Sequence, residues 1–387
     1  MKWASAVGTD PSFPRAVDEA FRVVEDALPA PPNFVMLFVS HGFRAYWKSA
    51  PIIVSRRWPS ALVVGASGRG VIGGLSEVQN GDGVALVAAC LPEGCVESFL
   101  VDVPKVGQPL GLNLQLSRAT PPSAVMLLSN PFYVDGEALL SCVQREWPSV
   151  SVFGGLASGG EQASEVALFC DGELADVGAV GVTFGEELRF EFCVSAGGRG
   201  IGDPFIVTRH REGLIQEFDR GRPLDALLQL HEELGPRDQD LFGKSLCVGL
   251  ELESGSGTQE TRDYLIRNIS GVDDEERGLH VAAHVQDYQV LRFFVRDAVT
   301  AAEDLRLRLE ALRDRDDAPK RIAALVFSCV GRGVALYGRE GHDSDLLREK
   351  LGDFPVGGLF CNGEFGPVGA RSYLHGYTSV IALVSET

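Results

Sequence analysis

The stretch from Phe327 to Thr378 carries the densest set of side chains that bind ligands or react. Cysteine, arginine, asparagine, glutamate and histidine stand there among glycines that separate apolar runs: Cys329, Arg332, Asn362, Glu364 and His375. Functional groups concentrate on turns that a rigid scaffold of strands positions. The pattern therefore predicts a ligand site on the turns of this stretch.

Arginine between two glycines occurs three times, at residues 68–70, 198–200 and 331–333. A guanidinium on such a turn grips a carboxylate or phosphate through two parallel hydrogen bonds, or else caps the carbonyls at a strand end. Both roles stay open here, and Arg199 and Arg332 are the two arginines predicted to grip an anionic ligand. Lys keeps the charge but not the fork, so the gripping role predicts that Arg332→Lys melts within a few degrees of wild type but loses the thermal stabilisation that a ligand confers.

The complete predicted ligand site adds hydroxyls, an amide and turn glycines to these groups. Ser67 and Ser158 lie on two further glycine-rich turns, and Cys329 is expected at a strand end beside Arg332, where it would be the most reactive of the cysteines. The predicted set is Ser67, Ser158, Arg199, Cys329, Gly331, Arg332, Gly333, Asn362, Gly363, Glu364 and His375.

Two nucleotide and hydrolase motifs are incomplete. Gly68 to Gly73 matches G-x-G-x-x-G, but the Gln79–Gly83 stretch that follows breaks the helix that a pyrophosphate site requires. A turn between strands is the better interpretation. Ser67 and Ser158 stand on glycine-rich turns, yet neither completes the G-x-S-x-G nucleophile elbow.

Metal and thiol chemistry are weaker alternatives. His280 and His284 are four residues apart in a β-branched and aromatic run, and in a strand this spacing is too wide for one metal ion. We therefore predict no metal site. An enzyme with Cys329 or Cys361 as nucleophile and His375 as base is retained as the less favoured alternative.

Composition excludes several classes of protein. The chain has 387 residues, and 53 acidic against 35 basic residues give a formal net charge of −18. Nucleic-acid binding rests on a basic face that neutralises phosphates, so nucleic acids and anionic membranes are not expected partners. The eight cysteines form no C-x-x-C pair and mostly lie in apolar runs, which favours buried thiols in a reducing compartment. No apolar run approaches the length of about 20 residues needed to cross a bilayer.

A three-fold pattern of strands must position the turns. In each copy an apolar strand is followed by a second strand that runs into a glycine-rich turn, and a further apolar strand comes after it. Such self-similarity indicates repeated supersecondary units. The copies are Phe34–Val39, Ala61–Gly68 and Gly83–Cys90; Ala124–Leu128, Ser151–Gly159, Val166–Cys170 and Gly178–Phe184; and Ala323–Cys329, Pro355–Gly363 and Thr378–Val384.

The remaining segments complete a prediction of two α/β (α+β) domains, with mixed or antiparallel sheets packed with helices. Apolar spacing predicts helices over Ala16–Leu28 and Ala298–Leu312. His280–Val295 is predicted to be one long strand, and the polar Leu234–Asp240 segment a linker. The predicted boundaries are a lead-in over 1–33 and domains over 34–215 and 216–387.

The C-terminal motifs resemble the hallmarks of the FIST family, a sensory domain shared by bacterial signalling proteins and certain F-box proteins. They are the runs Phe327–Gly333, Gly357–Pro367 and Leu374–Thr378. The N-terminal half is similar to the family through shorter runs: Val64–Gly68, Gly154–Gly159, Asp171-Gly172, Gly178–Val182 and Ser195–Gly202. The resemblance covers the chain from about Phe34 to Val384, so 34–215 is FIST N-like and 216–387 is FIST C-like. No F-box pattern precedes it, which indicates a stand-alone member.

The resemblance implies a sensory, non-enzymatic protein. Amino acids have been proposed as ligands of the family, some bacterial members resemble haem-based nitric oxide sensors, and the usual partners are output domains or separate signalling enzymes. We therefore expect a small-molecule ligand between the glycine-rich turns of the two halves, with Arg199 and Arg332 on an anionic group. A scaffold or adaptor that binds another protein is the alternative from a different class.

Cofactor and compartment follow the same resemblance. Haem ligation usually needs a histidine in an apolar cavity, whereas His375 is followed by a turn, so no haem or other cofactor is expected. The expected partners are a small-molecule ligand and a signalling protein, without nucleic acid or membrane insertion. The expected location is the cytoplasm, or the plastid stroma in a photosynthetic eukaryote.

Overall fold

The computed structural model describes residues 1–103, 110–112, 120–252 and 263–387. These residues form two compact units. The first comprises Met1–Ser195, Leu305–Leu374 and Thr378–Thr387, and the second comprises Ala196–Asp304 and His375–Tyr377. The units do not follow the sequence-based boundary at residue 215, because the chain leaves the first unit after Ser195 and returns to it at Leu305.

The first unit contains three six-stranded sheets, each built around one copy of the predicted strand pattern. In every copy the first and second strands are parallel neighbours, and the third strand runs antiparallel on the other side of the first. This arrangement confirms the predicted class of mixed α/β sheets. Each copy of the sequence pattern corresponds to the same three-strand unit at the centre of one sheet.

The elements of the copies have these bounds. The first contains β1 (Lys2–Gly8), α1 (Phe13–Ala27), β2 (Phe34–Ser40), a 3₁₀ helix (His41–Tyr46), α2 (Ala50–Arg57), β3 (Leu62–Gly68), β4 (Val71–Gly73), β5 (Ser76–Val78) and β6 (Val84–Cys90). The second contains β7 (Val96–Val101), β8 (Ala124–Ser129), α3 (Gly136–Glu146), β9 (Ser151–Leu156), a 3₁₀ helix (Ala163–Glu165), β10 (Leu168–Cys170), β11 (Glu173–Ala175) and β12 (Ala179–Phe184).

The third copy begins with β13 (Leu188–Ala196) and is interrupted by the second unit. The interruption contains β14 (Gly198–Arg211), β15 (Leu214–Phe218), α4 (Pro223–Glu233), α5 (Pro236–Ser245), β16 (Leu246–Glu251), β17 (Tyr264–Asp273), β18 (Gly278–Val281) and β19 (Val290–Arg296). Helix α6 (Ala298–Arg313) leads from the second unit back into the first. The copy continues with β20 (Arg321–Cys329), α7 (Val334–Tyr337), α8 (His342–Leu351), β21 (Val356–Cys361), β22 (Glu364–Val368), β23 (Arg371–His375) and β24 (Thr378–Glu386).

Each sheet of the first unit is completed by a hairpin from a different copy. Strand β4 of the first copy pairs with β21, β10 of the second pairs with β3, and β22 of the third pairs with β9. The strand orders are β1-β6-β2-β3-β10-β11, β7-β12-β8-β9-β22-β23 and β13-β24-β20-β21-β4-β5. The exchange is cyclic, so no copy completes its sheet alone.

Glycines at one equivalent position of the second strands let each strand lie close to its parallel neighbour. An added Cβ would meet a carbonyl oxygen of the first strand, at 1.8 Å for Gly65 and Leu37, 2.0 Å for Gly154 and Leu127, and 1.8 Å for Gly358 and Val326. Real Cβ atoms never approach that closely, because hard-sphere contact forbids it. The equivalence of the three contacts also identifies matching residues in the three copies.

The core of the first unit lies where the inward faces of the three sheets meet. Aromatic and aliphatic side chains from all three sheets fill it, among them Phe38, Phe153, Phe184 and Phe327. The outward faces are covered by helices: α1 and α2 on the first sheet, α3 on the second, and α6 and α8 on the third. Strands that are covered on both faces consist of continuous apolar runs, and these runs are why the strands could be predicted from the sequence.

The second unit is a closed barrel with the strand order β14-β15-β18-β17-β16-β19. Its interior is filled by apolar side chains that include Ile215, Val248, Leu279 and Phe293. A barrel of this size is packed by its own side chains rather than open to a ligand.

Two sequence predictions in the second unit are wrong in detail. The run His280–Val295 is two strands, since β18 ends at Val281 and β19 begins at Val290, and Tyr288 between them has a φ of 61°. The segment predicted as a linker contains the start of α5, with Gly235 as its N-cap and Pro236 in the first turn. Proline suits the first helical position, where no backbone donor is needed.

Candidate functional site

Ser67 and Ser158 lie where three segments of the chain cross, each of which leads from the second strand of a copy into the hairpin that the copy exchanges. The backbone N–H of Ser158 donates to Ser67 O at 3.3 Å, and the N–H of Asn362 donates to Leu156 O at 3.1 Å. By three-fold equivalence the third bond of this ring would run from Arg69 N–H to Phe360 O. Instead the Ser158 hydroxyl bridges these groups, since it accepts from Arg69 N at 2.9 Å and donates to Phe360 O at 2.5 Å.

The remaining turn groups of the crossing are also bonded within the protein. Ser67 Oγ accepts from Ala167 N at 2.8 Å, and Gly363 O accepts from Leu156 N at 2.9 Å. Glu364 is fully buried, and its Oε2 accepts from Thr378 N at 3.3 Å. The Asn362 side chain is exposed. The glycine-rich turns therefore form a strand crossing in which Ser67, Ser158 and Glu364 bond to backbone groups of the protein, whereas the Asn362 side chain faces solvent.

Cys329 and Cys361 are in register on neighbouring parallel strands, and both are buried. Burial, the charge of Glu364 and the neighbouring Cys329 raise the pKa of Cys361 well above its ordinary value. A thiol that resists ionisation is a poor nucleophile. Cys90 and Cys142 are partly exposed whereas Cys329 is buried, and the expectation that Cys329 is the most reactive cysteine stays a prediction.

Arg332 is buried and bonded to protein groups on several sides. Its side chain is 1% exposed, and it forms a fork with Asp343 through Nε at 3.0 Å and Nη2 at 3.2 Å. Nη2 also donates to Tyr337 Oη at 2.7 Å, and Nη1 donates to Ser195 O at 3.2 Å. The predicted fork exists, but an aspartate of the same chain occupies it.

The turn around Arg332 is shaped by the hairpin that the first copy contributes. Gly333 has a φ of 56°, and a Cβ there would lie 1.9 Å from Gln79 Oε1. That same oxygen accepts from Val334 N at 2.9 Å. Cys329 and Gly331 close the turn, because the Gly331 N–H donates to Cys329 Sγ at 3.5 Å.

A second buried acid, Glu77, caps helix α8 beside Asp343. Its two carboxylate oxygens accept from Gly341 N at 3.0 Å and Ser344 N at 2.8 Å. Burial and the charge of Asp343 nevertheless raise the pKa of Glu77. Burial acts to raise the pKa of Asp343 as well, but the charges and hydrogen bonds of Arg332 and His342 together outweigh it, so the pKa of Asp343 is lowered. We call Arg332, Asp343, Tyr337, His342 and Glu77 the Arg332 cluster.

His375 and Arg199 belong to the second unit, whereas the other predicted residues belong to the first. Arg199 is 30% exposed, and it pairs with Asp238 at 2.5 Å and with Asp297 at 3.3 Å. Asp297 also accepts from Val299 N at 3.0 Å, which caps the start of α6. His375 is 5% exposed. The predicted set of residues is thus divided between two units.

A groove that the sequence did not predict lies between α2 and the β10–β11 hairpin. It has a volume of about 860 Å³ and is lined by Lys48, Ile52, Ser55, Arg56, Pro59, Asp171, Gly172, Glu173 and Leu174. The turn of the hairpin packs against the helix because Gly172 has no side chain, and a Cβ there would lie 2.4 Å from Ser55 Oγ. We call this feature the α2 groove.

The α2 groove combines exposed apolar surface with cations. Ile52 is 37% and Leu174 is 43% exposed, although side chains of this size are usually buried. Among the described residues, neither Lys48 nor Arg56 forms an ion pair. Ligand sites are concave and mostly apolar, with a few polar groups that fix orientation. The sequence contains little that predicts this groove, because the exposure of Ile52 depends on which face α2 packs against the sheet.

Comparison with known proteins gives the chain its family. A family model described as the FIST N domain matches residues 33–220, and one described as the FIST C domain matches residues 224–367. The chain belongs to the FIST family. These two matches confirm the resemblance found in the sequence. FIST domains are regarded as sensory and signal-transduction domains.

Relatives of this FIST protein occur in mycobacteria and in a plant. An uncharacterised protein of Mycobacterium bovis is 32% identical over 390 residues, covering 99% of this chain and 98% of the relative. An uncharacterised protein of Mycobacterium tuberculosis is 29% identical over 386 residues, covering 99% of both chains. An F-box/LRR-repeat protein of Arabidopsis thaliana is 24% identical over 201 residues, covering 47% of this chain and 37% of the relative.

The FIST N and FIST C matches meet between residues 220 and 224, which is inside the barrel unit and not at its edge. The family models thus divide the chain by sequence, whereas compactness separates the inserted barrel from the three-fold unit. None of the helices in the described ranges has the length and apolarity needed to cross a membrane.

Proposed function

We propose that this FIST protein is a small-ligand sensor whose ligand binds in the α2 groove. The observation that carries the proposal is that the groove joins two copies of the repeat. One wall is helix α2 of the first copy, and the other is the hairpin that the second copy contributes to the first sheet. A ligand there contacts both partners of a strand exchange, which couples binding to the stability of that exchange.

The walls of the groove favour a ligand with an apolar body and one acidic group. Ile52, Pro59 and Leu174 supply apolar surface, and Lys48 and Arg56 supply positive charge on the helix side. Asp171 and Glu173 on the hairpin side repel a second acidic group. This location replaces the pocket expected between the glycine-rich turns, whose groups are bonded to one another in the strand crossing.

Ligand binding is expected to stabilise the folded protein by mass action. A ligand that binds only the native state contributes about 2.7 kcal/mol when its free concentration is a hundred times the Kd. In a sensor this free energy favours one arrangement of the β10–β11 hairpin over others, and a signalling partner binds that arrangement with a different affinity. The scaffold alternative predicts instead that the exposed apolar residues bind a protein and no small molecule.

The proposal is tested with 8-anilinonaphthalene-1-sulfonate, a fluorescent apolar anion. We expect saturable binding to the folded protein, weakened about tenfold in the Ile52→Ser, Leu174→Ser double variant, since a tenfold change corresponds to about 1.4 kcal/mol of lost contact. The Lys48→Gln, Arg56→Gln variant should weaken binding by a comparable factor. Fluorescence titration at constant ionic strength measures both.

Matched controls separate the groove from general surface effects. Leu307→Ser removes an exposed leucine outside the groove, and Lys320→Gln removes an exposed cation outside it. Both should bind the probe like wild type. If all variants bind it equally, the α2 groove is not the ligand site. If the Ile52→Ser, Leu174→Ser variant binds the probe like wild type but no longer binds a protein partner, the groove is a protein-binding surface and the scaffold function replaces the sensor.

A further inference from the structure

The β4–β5 hairpin, which the first copy contributes to the third sheet, is held there by side chains as well as by strand pairing. Strand β4 pairs with β21, and β5 lies beyond it at the edge of the sheet. The Gln79 side chain accepts from Val334 N at 2.9 Å. The Glu340 carboxylate accepts from the backbone N–H groups of Gln79 and Asn80 at 2.6 Å each. Polar contacts therefore join the end of this hairpin to the segment that follows Arg332.

Glu77 on β5 makes the buried part of this connection. It is 5% exposed, and its two carboxylate oxygens accept from Gly341 N at 3.0 Å and from Ser344 N at 2.8 Å. Helix α8 begins at His342, so these N–H groups lie at the helix end, where the turns of the helix itself leave donors unbonded. A carboxylate of the first copy thus caps a helix of the third copy.

This buried carboxylate has no cation of its own. Among the described residues Glu77 forms no ion pair, and the Arg332 fork is directed at Asp343, at 3.0 Å and 3.2 Å. The charge of Asp343 acts on Glu77 directly, so one guanidinium serves two neighbouring buried acids. A buried charge without a partner is costly, and such a group usually takes up a proton instead.

The other charged and titratable groups around the hairpin are bonded to one another. His342 Nδ1 lies 2.9 Å from Asp343 Oδ1, and its ring stacks on that of Tyr337 with the centroids 3.5 Å apart. The groups on the elements packed against the hairpin are Arg332 after β20, Tyr337 on α7, Arg339 and Glu340 after α7, and His342, Asp343, Asp345 and Arg348 on α8. Burial and the charge of Asp343 raise the pKa of Glu77, against the lowering effect of its two N–H donors.

We infer that Glu77 is a proton-dependent latch that holds the β4–β5 hairpin on the third sheet. With its proton, the docked hairpin buries a neutral carboxyl group, whose two oxygens can still accept from Gly341 and Ser344. Without its proton, the docked hairpin buries a second negative charge beside Asp343. A hairpin that leaves the sheet exposes Glu77 to water. Docking therefore takes up a proton, and this latch does not depend on the ligand proposed for the α2 groove.

The direction of the pH dependence follows from this linkage. Because the pKa of Glu77 is raised in the docked state, its contribution to docking is fully present at and below the ordinary glutamate range. The contribution is lost as the pH rises through the raised pKa. Asp343 has the opposite dependence, since its pKa is lowered and its contribution is lost only in acid. Alkaline conditions therefore favour release of the hairpin.

The amide signals of Gly341 and Ser344 report the charge on Glu77, because both N–H groups donate to its carboxylate. We expect both signals in ¹⁵N-labelled protein to shift together between pH 5 and pH 9, with one midpoint above the ordinary glutamate range. Glu77→Gln should abolish this titration. Signals that stay in place in wild type would overturn the proposal. So would signals that shift equally in Glu77→Gln, which would leave His342 as the titrating group.

Urea unfolding at pH 5 and pH 8 measures the effect on stability. Glu77→Gln loses one of two capping acceptors and is less stable at both pH values, so the readout is the change with pH. We expect the unfolding equilibrium constant of wild type, relative to that of Glu77→Gln, to rise several-fold from pH 5 to pH 8. Asp345→Asn is the matched control, since it removes an exposed acid from the same helix turn, and its difference from wild type should not change with pH.

Hydrogen exchange locates the effect in the hairpin. In wild type, peptides that contain β4 and β5 should lose protection several-fold from pH 5 to pH 8, after correction for the intrinsic exchange rate at each pH. The same peptides of Glu77→Gln should keep a constant protection. Equal losses in the two proteins, or an unfolding ratio that is the same at both pH values, would overturn the proposal and leave Glu77 as a helix cap without a proton-dependent role.

Discussion

Gly358→Ala is expected to destabilise the first unit by about 3 kcal/mol, the upper end of the usual cost of overpacking, because backbone atoms must move to make room. The added Cβ would lie 1.8 Å from Val326 O in the neighbouring parallel strand. Strands β20 and β21 would have to separate, and β4 pairs with β21 on its other edge. For a protein of this size we expect the midpoint of thermal unfolding to fall by about 10 °C.

The matched control for this prediction is Gly81→Ala. The nearest atom to a Cβ at Gly81 is Val78 Cγ1 at 4.0 Å, so this variant should unfold at the wild-type temperature. Gly65→Ala should behave like Gly358→Ala, since its Cβ would meet Leu37 O at the same distance of 1.8 Å. A Gly358→Ala protein as stable as Gly81→Ala would show that the strands are not packed as described. Circular dichroism during heating measures all three.

Arg332→Met is expected to destabilise the protein by about 3–5 kcal/mol, the usual cost of leaving one partner of a buried ion pair alone. Asp343, with a side chain that is 5% exposed, would lose its forked partner and remain beside Glu77. Arg332→Lys should be destabilising as well, because an ammonium cannot replace the fork to Asp343 together with the bonds to Tyr337 and Ser195. This revises the sequence expectation of a nearly unchanged melting temperature.

The double variant Arg332→Met, Asp343→Leu separates the ion pair from the rest of the site. Replacing both members of a buried pair by apolar residues is often neutral, so we expect the double variant to recover most of the stability lost in Arg332→Met. Urea unfolding of the wild type and the variants gives the free energies. Equal losses in the single and double variants would mean that Tyr337 and Ser195, and not Asp343, account for the contribution of Arg332.

The three-fold strand pattern was predictable because its strands are covered on both faces and therefore apolar throughout. The exchange of hairpins was not. Strands β4, β10 and β11 have three residues each, too few to show a period, and their partners lie in other copies. Pairing of this kind is set by tertiary packing rather than by local sequence.

The site residues likewise divide into features that could be predicted from the sequence and features that depend on tertiary packing. The glycines around Arg332 predicted the close approach of another group, and Gln79 does lie against Gly333. That Asp343 would occupy the arginine fork depends on where helix α8 begins, eleven residues later in the chain. The α2 groove depends on which side chains of the helix and the hairpin stay exposed, and this becomes visible only in three dimensions.

Hydrogen–deuterium exchange of the protein saturated with 8-anilinonaphthalene-1-sulfonate tests the sensor proposal most directly. A ligand in the α2 groove should slow exchange in peptides that contain α2 and the β10–β11 hairpin, because it contacts both walls and suppresses their local opening. Peptides that contain the turn of Arg332 should exchange at their unliganded rates. Protection confined to the Arg332 turn and the strand crossing, with α2 and the hairpin unchanged, would contradict the account and return the ligand to the glycine-rich turns.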